Sequence, residues 1–101
     1  MENDILPLDY RKIDPLIHSR IRLALMAILT RSEDVSFNSL KKALNATDGN
    51  LSTHLSKLEA AGYISVEKKV TEGKPESRYR VTDTGLSSFA RYIMDLEPYI
   101  G

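Results

Sequence analysis

Two short amphipathic helices separated by only a few residues, followed at once by a change of hydrophobic period from that of a helix to that of a strand, constrain this chain more than any other feature. Ser36 is a favourable N-cap for the first helix, in which Phe37, Leu40, Ala43 and Leu44 share a face. Asn45 tolerates the left-handed conformation that ends a helix. The turn Asn45-Ala46-Thr47 leads to Thr47 or Asp48 as the next cap, after which Leu51, Leu55 and Leu58 form a narrow apolar stripe that closes at Ala60-Ala61-Gly62. Two short helices joined by so tight a turn form a helix-turn-helix.

Beyond Gly62, Ile64 and Val66 alternate with Ser65 and Glu67, and Tyr79 and Val81 alternate with Arg78 and Arg80, which is the pattern of two strands. The polar stretch from Thr71 to Ser77, which holds Gly73 and Pro75, joins them as a β-hairpin with a long exposed tip, a candidate wing. Upstream, Asp14-Pro15 has the form of a helix start, and Ile17, Ile21, Ala24, Leu25 and Ile28 carry a helical face to about Arg31.

The last element begins at Thr82 or Asp83. It places Leu86, Phe89, Ile93, Leu96 and Ile100 at alternating spacings of three and four, like a coiled-coil seam, with Tyr92, Met94 and Tyr99 adding apolar surface beside it. A chain of 101 residues has difficulty covering that much apolar area alone, so those five are the expected dimerisation residues. Residues 1–12 read as an N-terminal extension, and Ile5, Leu6, Leu8, Tyr10 and Ile13, which show no clear period, are available to drape over the same seam. The expected architecture is α/β, mainly α: a winged helix-turn-helix over residues 13–98 with a two-stranded β-hairpin wing and a C-terminal dimerisation helix.

The third helix carries the candidate recognition surface. With Leu51, Leu55 and Leu58 inward, Thr53, Ser56, Lys57 and Ala60 point outward, and Asn50 and Ser52 lie on the flanks. A helix entering the major groove needs short side chains for close approach and hydrogen-bonding groups in its N-terminal half, where Asn pairs with adenine and Ser or Thr with several base edges. Asn50, Ser52, Thr53, Ser56 and Lys57 meet that need. On the hairpin, Lys74 and Arg78 are the preferred phosphate or minor-groove contacts among Lys68, Lys69, Lys74, Arg78 and Arg80, with Glu72 and Glu76 opposing them. Lysines on a hairpin also block edge-to-edge pairing, an equal claim on the same residues.

Charge by itself does not decide for nucleic acid. The formal net charge is zero, but residues 11–80 carry a surplus of five positive charges while both ends are acidic. There is no cysteine, which removes disulfides, thiolate metal sites and thiol redox sensing. The longest apolar run, Leu23 to Leu29, is far short of a bilayer span, and the acidic start lacks a basic n-region, so a cytoplasmic protein with no membrane association is expected. His18 and His54 stand alone without ligand spacing, so neither a metal nor another cofactor is expected. His54 reads as a hydrogen-bonded histidine at the edge of the core, with a phosphate contact as the second reading. No nucleophile elbow or phosphate-binding glycine loop is present, and an enzyme is not expected.

The segments Asn38 to Leu44, Thr47 to Tyr63 and Tyr79 to Gly85 resemble the winged-helix DNA-binding domain family of small transcriptional regulators related to the MarR and ArsR groups. The resemblance runs over about residues 13–98 and is most specific from Thr47 to Tyr63. It implies a dimer built through terminal helices, a recognition helix near Asp48 to Ala60 and a wing at Gly73-Lys74-Pro75 with Ser77 and Tyr79. Glu76 departs from the more basic family pattern, and the sensor cysteines and histidine clusters of metal-responsive ArsR relatives are absent. The function expected is that of a sequence-specific double-stranded DNA-binding transcriptional regulator acting as a homodimer, with repression as the simplest outcome. The alternative is a winged helix used as a protein–protein interaction module. No effector is named by the sequence, although a crevice between the first and fourth helices of a dimer offers room for a small molecule.

Overall fold

A computed structural model of the chain describes residues 5–101. Its elements are α1 (Arg20–Leu29), β1 (Val35–Ser36), α2 (Phe37–Leu44), α3 (Asp48–Ala60), β2 (Ile64–Thr71), β3 (Lys74–Val81) and α4 (Asp83–Ile100), preceded by a 3-10 turn at Tyr10–Lys12. The three strands form an antiparallel sheet in the order β1-β3-β2. The architecture is a winged helix, mainly helical, as the sequence implies.

The helix-turn-helix is set by its caps. Ser36 accepts a hydrogen bond from the Ser39 amide at 3.1 Å, and Thr47 accepts one from the Asn50 amide at 3.2 Å, each satisfying an amide that the first helical turn leaves open. Asn45, at φ 50° and ψ 46°, supplies the left-handed stop between them. Leu40, Leu51, Leu55 and Leu58 are buried with Ile17, Leu25, Met26, Leu29, Ile64 and Tyr92 in one core. That core fixes α3 by its inner face and leaves the opposite face to solvent.

Four expectations are corrected. The first helix starts at Arg20, not at Asp14-Pro15. Asp14 instead closes a single turn, with the His18 amide on its carbonyl at 2.9 Å and the Leu16 amide on its carboxylate at 2.9 Å. Ser19 then turns to an extended φ of −147° and becomes the true cap. The hairpin has no long tip: β2 and β3 run to Thr71 and Lys74, leaving Glu72 and Gly73 as a two-residue turn with positive φ at both positions, 52° and 78°. Pro75 is accommodated because it faces Val70 beyond the reach of β1, where β3 has no second partner strand.

The third correction adds a strand. Val35 and Ser36 pair with Tyr79 and Arg78, tying the start of α2 to the base of the hairpin. The fourth concerns α4, whose inward face is centred on Gly85, Tyr92 and Leu96, so Tyr92 belongs to the core and not to outlying apolar surface. Its hydroxyl lies 2.8 Å from His18 Nδ1, and its ring stacks near Phe89. Of the expected seam, Phe89 and Leu96 pack against the core, whereas Leu86, Ile93 and Ile100 are 45%, 51% and 79% exposed.

Gly85 explains how α4 docks. A Cβ at this position would meet the Tyr63 carbonyl oxygen at 2.0 Å and Val81 Cγ2 at 2.8 Å. Thr82 completes the junction: its amide donates to the Tyr63 carbonyl at 3.0 Å, and its hydroxyl donates to the Gly62 carbonyl and accepts from the Gly85 amide. The helix is thereby seated directly on the turn that follows α3. No helix is long and apolar enough to cross a membrane among the described residues.

Candidate nucleic-acid interface

The five residues expected on the recognition face, Asn50, Ser52, Thr53, Ser56 and Lys57, are all exposed on α3. Thr53 donates its hydroxyl proton back to the Gly49 carbonyl at 2.9 Å, so that proton is engaged within the helix. The face is free of carboxylates from Gly49 to Leu58, since Asp48 is drawn aside to Lys41 at 2.8 Å and Glu59 comes only in the last turn. A short polar surface backed by a rigid leucine stripe, without negative charge at its centre, can approach the edges of base pairs without a like-charge penalty.

The wing divides its cations between two situations. Lys74 is exposed beside the turn and makes no ion pair among the described residues, as do Lys68 and Arg80. Arg78 is held by the protein's own carboxylates. Its guanidinium contacts Asp34 at 2.7 Å and 2.9 Å and Glu76 at 3.4 Å, while Lys69 reaches the other Asp34 oxygen at 3.3 Å. The hydrogen bonds from Arg78, and then Lys69, hold the Asp34 carboxyl below its ordinary range, and Asp34 in turn raises the pKa of Arg78. The pairing joins the loop before β1 to the wing.

A second polar junction lies behind α3. Arg22 donates through Nε to the Leu16 carbonyl and through a terminal nitrogen to His54 Nδ1 at 2.8 Å, so His54 is the hydrogen-bonded residue at the core edge that the sequence suggests. Burial first, then the nearby charges of Arg22 and Lys57, push the His54 pKa below the ordinary imidazole value. Neither Asp34 nor Arg22 is singled out by the sequence. Their partners lie 44 and 32 residues away, and no local pattern announces a contact over that separation. Among the described residues no group of three or more histidine, cysteine or acidic side chains could hold a metal ion.

Comparison with known proteins agrees with this geometry. Residues 21–100 match the family described as "Winged helix DNA-binding domain". An uncharacterized protein of Methanocaldococcus jannaschii is 37% identical over 81 residues, which span 80% of this chain and 88% of that one. Among solved structures, a transcriptional regulator homologue from Pyrococcus horikoshii OT3 superposes with a TM-score of 0.75 at 26% identity, covering 89% of this chain and 94% of its own. The crystal structure of MarR gives 0.76 at 18% identity over 89% of this chain and 65% of its own, a likeness of fold. On its sequence match and its architecture together, the chain belongs to the winged helix DNA-binding domain family.

Proposed function

We propose that this protein is a sequence-specific double-stranded DNA-binding transcriptional regulator that acts as a homodimer, each protomer placing α3 in a major groove and its wing against the adjacent backbone. The observation that carries the proposal is the stretch of α3 from Gly49 to Leu58, which holds no carboxylate and exposes Asn50, Ser52, Thr53, Ser56 and Lys57 together. The similar Pyrococcus horikoshii protein is described as a transcriptional regulator homologue, which supports the regulatory reading. Repression by occluding a promoter needs nothing beyond such binding.

The dimer reading rests on α4. Leu86, Ile93 and Ile100 follow one another at seven-residue intervals on a side of the helix that the domain does not cover, with Met94 64% exposed beside them. Leu8 and Tyr10 of the N-terminal extension are exposed as well and are available to the same interface, while residues 1–4 lie outside the described range.

Selection from a pool of random duplexes, followed by titration of the enriched sequence across a range of salt, tests the proposal. Recovery of a two-fold motif, with the slope of log affinity against log salt near −0.9 per neutralised phosphate, is the expected result. Enrichment of no motif, with only weak binding at low salt, would replace this reading by that of a protein-association module, which the zero net charge also suits.

A further inference from the structure

Beside α3 lies an open pocket walled by the start of α1 (Ser19, Arg20, Ile21, Ala24), the helix-turn-helix turn (Leu44, Asn45, Ala46) and the first turns of α3 (Asn50, His54). No carboxylate lines it, in a chain with as many acidic as basic residues. Each of its polar side chains can donate a hydrogen bond, and Arg20 can only donate. Arg20 is exposed at the first position of α1, and Asn50 offers an amide from the recognition helix.

His54 contributes a donor for a reason set by its neighbour. An arginine is donor-only, so the 2.8 Å contact from Arg22 makes Nδ1 of His54 an acceptor and leaves the ring proton on Nε2. Arg22 is itself fixed by its second bond, to the Leu16 carbonyl. The tautomer of a recognition-helix histidine is therefore imposed from α1, and Nε2–H remains to donate to a ligand.

We propose that this pocket binds a phosphate of the DNA backbone next to the groove that α3 reads, with Arg20 and His54 Nε2–H as the principal donors and Arg22 as the residue that positions His54. This assignment rests on the DNA-binding reading above. It adds a phosphate contact on the side of α3 formed by α1 and the turn, independent of the wing. Contacts of this kind set the register of a helix in the groove and carry no sequence information of their own. Arg20→Gln and His54→Phe should each weaken binding on every duplex alike while leaving the selected motif unchanged.

The test is salt-dependent binding of the selected duplex by wild type, Arg20→Gln and His54→Phe, each checked for folding by circular dichroism. Arg20 is exposed, so its variant is expected to fold normally. Loss of the Arg20 charge from one phosphate per protomer should make the slope of log affinity against log salt shallower by about 0.9, or about 1.8 for a dimer, whereas His54→Phe removes a neutral donor and should lower affinity with the slope unchanged. A folded Arg20→Gln protein with wild-type affinity and slope would overturn the pocket assignment while the DNA-binding reading stands. A wild-type protein without salt-dependent duplex binding would overturn both. Free inorganic phosphate that shifts the His54 ring resonances, while Arg20→Gln leaves the duplex slope untouched, would make the pocket a small-anion site and refute the backbone contact.

Discussion

Replacing Gly85 by alanine should destabilise the protein even though alanine is the better helix former. A Cβ at position 85 would stand 2.0 Å from the Tyr63 carbonyl oxygen and 2.9 Å from its carbon, where ordinary contact begins near 3.4 Å. Both are backbone atoms, so relief requires α4 to lift from the turn after α3 by more than about 1 Å. Overpacking of this kind costs about 1–3 kcal/mol. Disturbing the Thr82 cap, whose hydroxyl accepts from the Gly85 amide at 3.0 Å, costs about 1 kcal/mol more. The gain in helix propensity returns about 1 kcal/mol. The net loss is about 1–3 kcal/mol, and a domain of this size loses about 4–8 °C in Tm for each of these. Gly49→Ala is the matched control, because a Cβ there meets nothing within 4 Å; it should raise stability by up to about 1 kcal/mol. Thermal and urea unfolding followed by circular dichroism at one protomer concentration measures both. A Gly85→Ala protein as stable as wild type would refute the account of how α4 is seated.

Ile93→Glu should give a folded monomer in sedimentation equilibrium, since Ile93 is 51% exposed and outside the core; an intact dimer would place the interface elsewhere. Stability should fall as the pH drops from 7 to 5. The folded His54 pKa lies below the unfolded value near 6.5, so the unfolded state takes up its proton first: the stabilisation is complete above that value and is lost as the pH falls towards the folded pKa. His54→Gln should flatten the profile in this window, and an unchanged slope would show that titration of the partly buried His54 does not control it. Tyr92→Phe removes the hydroxyl that meets His18 and should cost about 0.5–1.5 kcal/mol in urea unfolding; no change would mean that solvent replaces the bond at no cost.

The parts of the fold that follow from local chemistry were legible in the sequence. Ser36, Asn45 and Thr47 act where they stand, and the leucine stripe of α3 reports its own inner face. The start of α1 was not legible, because Asp14-Pro15 is as suitable for an isolated turn as for a helix, and the extended Ser19 decides between them. The hairpin arms were hard to see from Lys68 to Ser77. They project past the core, so neither face needs to be apolar and the alternation fades. On α4 the heptad-like spacing merged two neighbouring faces: Phe89 and Leu96 border the core around Tyr92, whereas Leu86, Ile93 and Ile100 sit about 80–120° round the helix from Tyr92. The recognition face was readable because exposure on α3 follows from helical geometry alone. The engagement of Arg78 by Asp34 and of His54 by Arg22 depends on tertiary contacts, which no single window of sequence contains.

The claim that α3 reads bases is tested most directly by repeating the duplex selection with Asn50→Ala, Ser56→Ala and Lys57→Ala combined, in a protein verified to fold. The account predicts that preference is lost at defined positions of each half-site, worth about 1–3 kcal/mol per base pair, while non-specific binding persists. Recovery of the wild-type motif with undiminished preference would contradict it and move sequence reading to another surface of the protein.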